Sequence, residues 1–118
     1  MSKYHAQPTT RQGIRFASKK EARRYEELML LLRAGEIRDL KLQPQYTLQE
    51  SYIAPEGDRV QAIRYVADFS YERRTKPDIT GQEWWLPVVE DVKGQKTQVY
   101  ELKKKLMRER KNIIIQEV

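Results

Sequence analysis

The chain has 118 residues, the usual size of one domain, and its 39% hydrophobic content is enough for a single modest core. Lysine and arginine outnumber aspartate and glutamate 23 to 17, and the resulting formal net charge of +6 favours an anionic partner, nucleic acid foremost, although a charged surface also serves plain solubility. The absence of cysteine excludes disulfides and thiolate metal sites, and the single histidine, His5, excludes a histidine-rich cluster. No apolar run approaches the length of a membrane span, so a soluble cytoplasmic protein is expected, with any metal held by oxygen.

Residues 1–13 are polar and broken by Pro8, Thr9, Thr10 and Gly13. They read as a flexible basic arm or a loose leading strand ahead of one domain over residues 14–118. Ser18-Lys19-Lys20-Glu21 has the form of a capping box, and Ala22, Tyr25, Leu28, Met29 and Leu32 recur at helical spacing until Gly35 supplies a stop. Leu40, Leu42, Pro44, Tyr46 and Leu48 alternate with polar residues as one strand, with Pro44 marking an edge or a bulge. Ala54-Pro55-Glu56-Gly57-Asp58 is a strong turn signal; residues 60–71 then read as a long second strand and 73–82 as a loop. Residues 84–93 make a third strand, with Trp84 and Trp85 packing on its two sides, and Gly94 allows a tight exit. Val99, Tyr100, Leu102, Leu106 and Met107 define a second amphipathic helix reaching about Arg110, and Ile113-Ile114-Ile115 a last strand after Asn112. This αβββαβ order predicts an α/β fold, a mixed sheet flanked by helices.

The two-residue period of the third strand puts Asp91 and Lys93 on one face and Val88, Glu90 and Val92 on the other. In the second strand, Tyr65-Val66-Ala67-Asp68-Phe69 sets an acid among apolar residues, where an unpaired carboxylate is costly and a nearby cation is expected. If these strands are neighbours, Asp68 and Asp91 can share one divalent ion, with the Val92 carbonyl as the natural third protein ligand. Such an ion assists phosphodiester hydrolysis by acidifying water and neutralising charge. The Lys93 ammonium then either orients the water, stabilises developing negative charge, or acts as a base once its pKa is depressed. An acid-x-lysine pattern alone is common by chance in so charged a chain, and its weight comes from the ordered context. A literal Pro77-Asp78 lies in the loop and makes Asp78 the fallback acid.

These residues resemble the PD-(D/E)XK nuclease superfamily, in which an acid on one strand and an acid-x-lysine on the next follow a helix that often carries a glutamate. More closely, Ser18-Lys19-Lys20-Glu21-Ala22-Arg23-Arg24-Tyr25, Tyr65-Val66-Ala67-Asp68-Phe69 and Val89-Glu90-Asp91-Val92-Lys93-Gly94 are similar to a phage and prophage family of small proteins placed in that superfamily and likened to Holliday junction resolvases. The similarity covers nearly the whole chain. Ala67 stands where the superfamily pattern has proline, and Asp91 where glutamate is common. The resemblance implies a restriction-endonuclease-like core and Mg²⁺-dependent cleavage of DNA, with Mn²⁺ able to substitute. It further implies branched recombination or replication intermediates as substrates and a homodimer in a bacterial host.

Glu21 has two readings. It occupies the glutamate position of the capping box, and its register with Tyr25, Leu28 and Leu32 also turns it toward the sheet, where it would complete or orient the site. Glu90, on the face opposite Asp91, is expected in a surface or interface salt bridge. Lys19, Lys20 and Arg24 on the first helix and Lys103, Lys104 and Arg108 on the second are the expected DNA contacts, a solvated helix face being the plainer reading for several of them. The expected enzyme is therefore an endonuclease with Glu21, Asp68, Asp91 and Lys93 at its centre. Its rivals are a DNA-binding accessory protein that holds DNA without cutting it, and an adaptor for an acidic protein that does not bind DNA at low salt.

Overall fold

The computed structural model describes residues 8–11, 13–92 and 96–118. In chain order the elements are β1 (Thr9–Arg11), β2 (Ile14–Phe16), α1 (Lys19–Arg33), β3 (Ile37–Leu42), β4 (Gln45–Gln49), β5 (Tyr52–Ile53) and β6 (Arg59–Val60). They continue with β7 (Ile63–Val66), β8 (Phe69–Arg74), β9 (Trp85–Asp91), α2 (Gln98–Lys111) and β10 (Gln116–Glu117). The protein is a mixed α/β fold whose main sheet has the order β10-β9-β8-β3. Strands β3, β8 and β9 are antiparallel neighbours, and α2 carries the chain over to β10, which joins β9 in parallel.

Of the N-terminal segment, Thr9–Arg11 form a leading strand, one of the two readings its composition left open. β1 pairs antiparallel with β2, and Arg11 Nε reaches Glu26 Oε1 on α1 at 2.6 Å, so the end of the expected arm is a strand of the fold; residues 1–7, including His5, lie outside the described residues. Helix α1 starts as its sequence predicts, with the Glu21 N–H donating to Ser18 Oγ at 3.1 Å. It ends in a Schellman arrangement, in which the Gly35 N–H donates to the Leu32 carbonyl and the Glu36 N–H to the Leu31 carbonyl. That turn places Gly35 at φ +75°.

The alternation of β8 and β9 divides the core in two. Phe69 and Tyr71 turn toward α1 and bury with Phe16, Ala22, Tyr25 and Leu28, with Val88 and Val92 packed against them. Val89 turns the other way, into a second cluster with Leu48, Tyr65, Tyr100, Met107 and Ile115. The inward face of α2 is thus Tyr100 and Met107, whereas Val99 and Leu102, expected inside, are 62% and 58% exposed. Helical spacing fits either stripe, and contact with the sheet and its neighbours selects one.

Four further expectations need correction. The strand read across Pro44 is two strands, and the one read over 60–71 is three, because both chains leave the main sheet at the same level. Gln43 at φ +51° and Pro44, which has no N–H, end the β3 ladder; opposite them the chain turns at Ala67 and Asp68. Beyond the bend β4 pairs with β7 as a separate ribbon, closed by the β5–β6 hairpin across the turn predicted at residues 54–58. The last strand is Gln116–Glu117 rather than 113–115, where Ile115 serves as a core residue. Trp84 lies ahead of β9 and is exposed, while Trp85 is partly covered by the Arg38 guanidinium, 4.3 Å from its ring. Among the described residues no helix is long and apolar enough to cross a membrane.

The end of α1 gives a direct test of the fold. Nothing lies within 4 Å of where a Cβ on Gly35 would stand, so alanine there meets only the left-handed backbone penalty. Gly35→Ala should lower the stability read by urea denaturation by about 1 kcal/mol with an unchanged m value. An unchanged midpoint would contradict the left-handed turn.

Candidate active site

The β8–β9 register pairs Phe69 with Glu90, and one step further along it Asp68 stands opposite Asp91. The Asp68 N–H donates to the Glu90 carbonyl at 3.1 Å, which holds this step in place although Asp68 itself precedes β8. Residues opposite one another on antiparallel strands project to the same side. The two carboxyls accordingly lie within hydrogen-bonding reach of each other. Asp68 Oδ2 also accepts the Val92 N–H at 2.6 Å, and the Tyr65 hydroxyl donates to Asp91 Oδ2.

The surroundings set the protonation of this group. Asp91 is 3% exposed and Asp68 partly buried. Burial first, and then the hydrogen bond to Asp91, push the Asp68 carboxyl up to about 8; the Val92 N–H opposes the shift, and the charges of Asp91 and Glu21 add to it. Burial and the Asp91 carboxylate push the Tyr65 phenol upward as well, so its hydroxyl stays a donor. Metal-free, the pair is arranged to hold a proton between its oxygens, which is where a cation would otherwise neutralise it.

Glu21 is buried in the first turn of α1, and its charge adds to the upward shift of Asp68. Among the described residues no group of three or more histidine, cysteine, aspartate or glutamate side chains is placed to hold a metal. Asp68 and Asp91 are a pair of facing carboxyls, and Val92 directly follows the last residue of β9. Lys93 and Gly94 lie outside the described residues. The fallback acid, Asp78, has local partners. Asp78 Oδ1 accepts from the Thr80 N–H, the Thr80 hydroxyl and the Gln82 N–H in an exposed turn that these bonds explain completely.

Glu90 is not a surface residue. At 1% exposure it accepts a two-pronged contact from Arg24, with Nε to Oε1 at 2.8 Å and Nη2 to Oε2 at 2.5 Å, and the Tyr71 hydroxyl donates to Oε2. Face alternation correctly separates Glu90 from Asp91, but the face it enters is the α1 core. Arg24, expected on DNA, is turned inward by this pair, with Glu27 as a second partner at 3.4 Å. Of the other expected DNA contacts, Lys19, Lys20 and Arg108 are exposed, and Lys104 pairs with Glu117 at 3.2 Å. Lys103 lines a cleft of about 330 Å³ together with Arg64, Tyr65, Val66, Asp91, Val99 and Tyr100. A larger cavity of about 600 Å³, along Lys41, Tyr46, Val88 and Ile114, has only Asp39 and Glu72 as acids and lacks such a carboxylate pair. Sequence reasoning missed Tyr65, Tyr71 and Arg64. The one signal available for the tyrosines was their two-residue period with Ala67 and Phe69 along the chain.

The family model described as "Protein of unknown function (DUF1064)" matches residues 1–116, and the chain belongs to that family. No curated protein and no solved structure matches it.

Two measurements follow from this geometry. Arg24→Ala leaves the Glu90 carboxylate buried with only Tyr71, and should cost about 3 kcal/mol of stability. Adding Glu90→Gln should recover part of that loss, and a cost below about 1 kcal/mol for Arg24→Ala would mean the pair is solvated. In chelator, the raised Asp68 pKa means the folded state holds a proton that the unfolded chain, near 3.8, has released. Stability should therefore fall as pH rises from about 4 to about 8, and Asp68→Asn should flatten that slope. A rising slope over this window in the parent protein would refute the shared proton.

Proposed function

We propose that the protein is a divalent-metal-dependent DNA endonuclease of the PD-(D/E)XK type, acting on branched recombination or replication intermediates. The observation that carries this reading is the facing of Asp68 and Asp91 at one end of the main sheet. Support comes from the order α1, β3, β8, β9, α2, β10, which suits a restriction-endonuclease-like core, with a buried glutamate on the first helix and an acid-x-lysine at the end of the third sheet strand.

The donor set fits a hard cation. Both side chains offer oxygen, they lie close enough to share a proton, and Mg²⁺ is commonly held by one or two carboxylates with water and phosphate oxygens completing its shell. Asp68 and Asp91 would hold the ion, with the Val92 carbonyl as third protein ligand; Mn²⁺ would substitute. When bound, the cation supplies charge neutralisation on the phosphodiester and acidifies water. The protein's own residues do the rest. The Val92 N–H fixes Asp68, the Tyr65 hydroxyl fixes one oxygen of Asp91, and Glu21 adds negative potential from α1. Lys93, two residues beyond Asp91, would orient the attacking water, steady the developing charge or accept its proton. Hydrolysis adds water across one P–O bond, leaving a phosphate monoester on one strand end and a hydroxyl on the other. Two copies in a homodimer would supply the paired cuts a four-way junction requires.

The test is cleavage of labelled four-way junction, duplex and single-stranded DNA with Mg²⁺, Mn²⁺ or chelator. Cutting should require the metal and fall by about 10²-fold or more in Asp68→Asn, Asp91→Asn and Lys93→Ala. Binding without cutting on every substrate would replace this reading by a non-catalytic DNA-binding protein. No binding at low salt would remove nucleic acid altogether.

A further inference from the structure

The cleft above Asp91 has two walls of like character. β7 contributes Arg64 and Val66, and the first turns of α2 contribute Val99 and Lys103. Nearby cations are already engaged: Lys96 and Lys104 reach Glu117 at 3.0 and 3.2 Å, and Arg110 donates to the Leu48 carbonyl at 2.9 Å. Arg64 and Lys103, by contrast, have no ion-pair partner among the described residues. Two cations without an ion-pair partner thus line the same cleft as the Asp91 carboxylate.

This arrangement selects its ligand. The negative charge of Asp68 and Asp91 repels a lone anion, so a phosphate reaches the floor only if neighbouring phosphates are held elsewhere. Val66 and Val99, 49% and 62% exposed on the same lips, suit the apolar face of a sugar or base rather than a free inorganic ion. A ligand with regularly spaced negative charges and apolar groups between them is a nucleic-acid strand. We propose that Arg64 and Lys103 grip phosphates on either side of the one presented to Asp91, so that the strand runs through the cleft between the β4–β7 ribbon and α2. Calling that strand the one that is cut rests on the nuclease reading; the grip itself does not.

Binding of a fluorescein-labelled duplex and a labelled four-way junction, followed by anisotropy across a salt series in chelator, tests this independently of cleavage. Removing one cation that neutralises a phosphate lowers the salt slope on duplex DNA by about 0.9, so Arg64→Gln with Lys103→Gln should lower it by nearly 2, while Arg64→Lys retains most of it. Arg38→Gln, on β3 and paired with Glu72, should leave the slope unchanged. An unchanged slope in the double variant overturns the grip even if the protein cuts DNA. A lowered slope in a protein that never cuts supports the grip and sinks the nuclease reading. Absence of binding by the unaltered protein overturns both.

Discussion

Two hydrogen bonds across a shared bend determine where the chemistry sits. The Gln43 N–H donates to the Asp68 carbonyl at 2.9 Å and the Ala67 N–H to the Pro44 carbonyl at 3.1 Å, so the strand pairs on either side of the bend stay joined while they change sheets. Without that bend Asp68 would be a mid-strand residue with its backbone consumed by a regular ladder. With it, the Asp68 backbone bonds to Gln43 on one side and Glu90 on the other, and its carboxyl is left at the mouth of the sheet beside Asp91. The bend also carries β4 and β7 outward as a ribbon, and the inward side of that ribbon brings Tyr65 to Asp91. Position of the acid, its hydrogen-bond partner and one wall of the cleft thus have a common origin.

The Arg24–Glu90 pair performs the corresponding task on the other face. Glu90 is the immediate neighbour of Asp91, and Arg24 lies three residues, just under one helical turn, beyond Glu21. A two-pronged contact fixes both distance and rotation, so α1 cannot slide or roll along β9 without breaking it. Burying two charges is costly, and well-packed apolar residues of the same size would often be as stable. What the pair adds over apolar packing is a defined register, with the Tyr71 hydroxyl supplying a further bond to the Glu90 carboxylate.

Much of this was legible in the sequence, and the failures share a cause. The capping of α1 by Ser18, its stop at Gly35, and the facing of Asp68 and Asp91 all follow from local chemistry or from the period of a strand, which the structure preserves. The division of the long strands does not, because alternation continues unchanged through a bend: Tyr65, Ala67, Phe69 and Tyr71 are all buried, yet the first two belong to one core and the last two to the other. The fate of charges was equally hidden. Nothing in the order of residues distinguishes Arg24, which is drawn into the protein, from Arg23, which stays exposed, until Glu90 is known to lie beneath α1.

The Asp68–Asp91 pair could serve as a structural device, two acids joined by one proton, and its surroundings weigh against that. A structural acid is stabilised by being closed off and bonded to a cation, as Glu90 is by Arg24 with Tyr71 beside it. Asp91 lies beside a second acid and the Tyr65 hydroxyl, and it lines a cleft to which Arg64 and Lys103 also contribute. The two buried acids of β9 are adjacent in sequence, and the fold gives one an internal arginine and places the other at the edge of open space. Burial first, and then the hydrogen bond to Asp91, raise the Asp68 carboxyl well above the usual carboxylate range, and on the proposed reading a divalent cation would take the place of the proton it keeps.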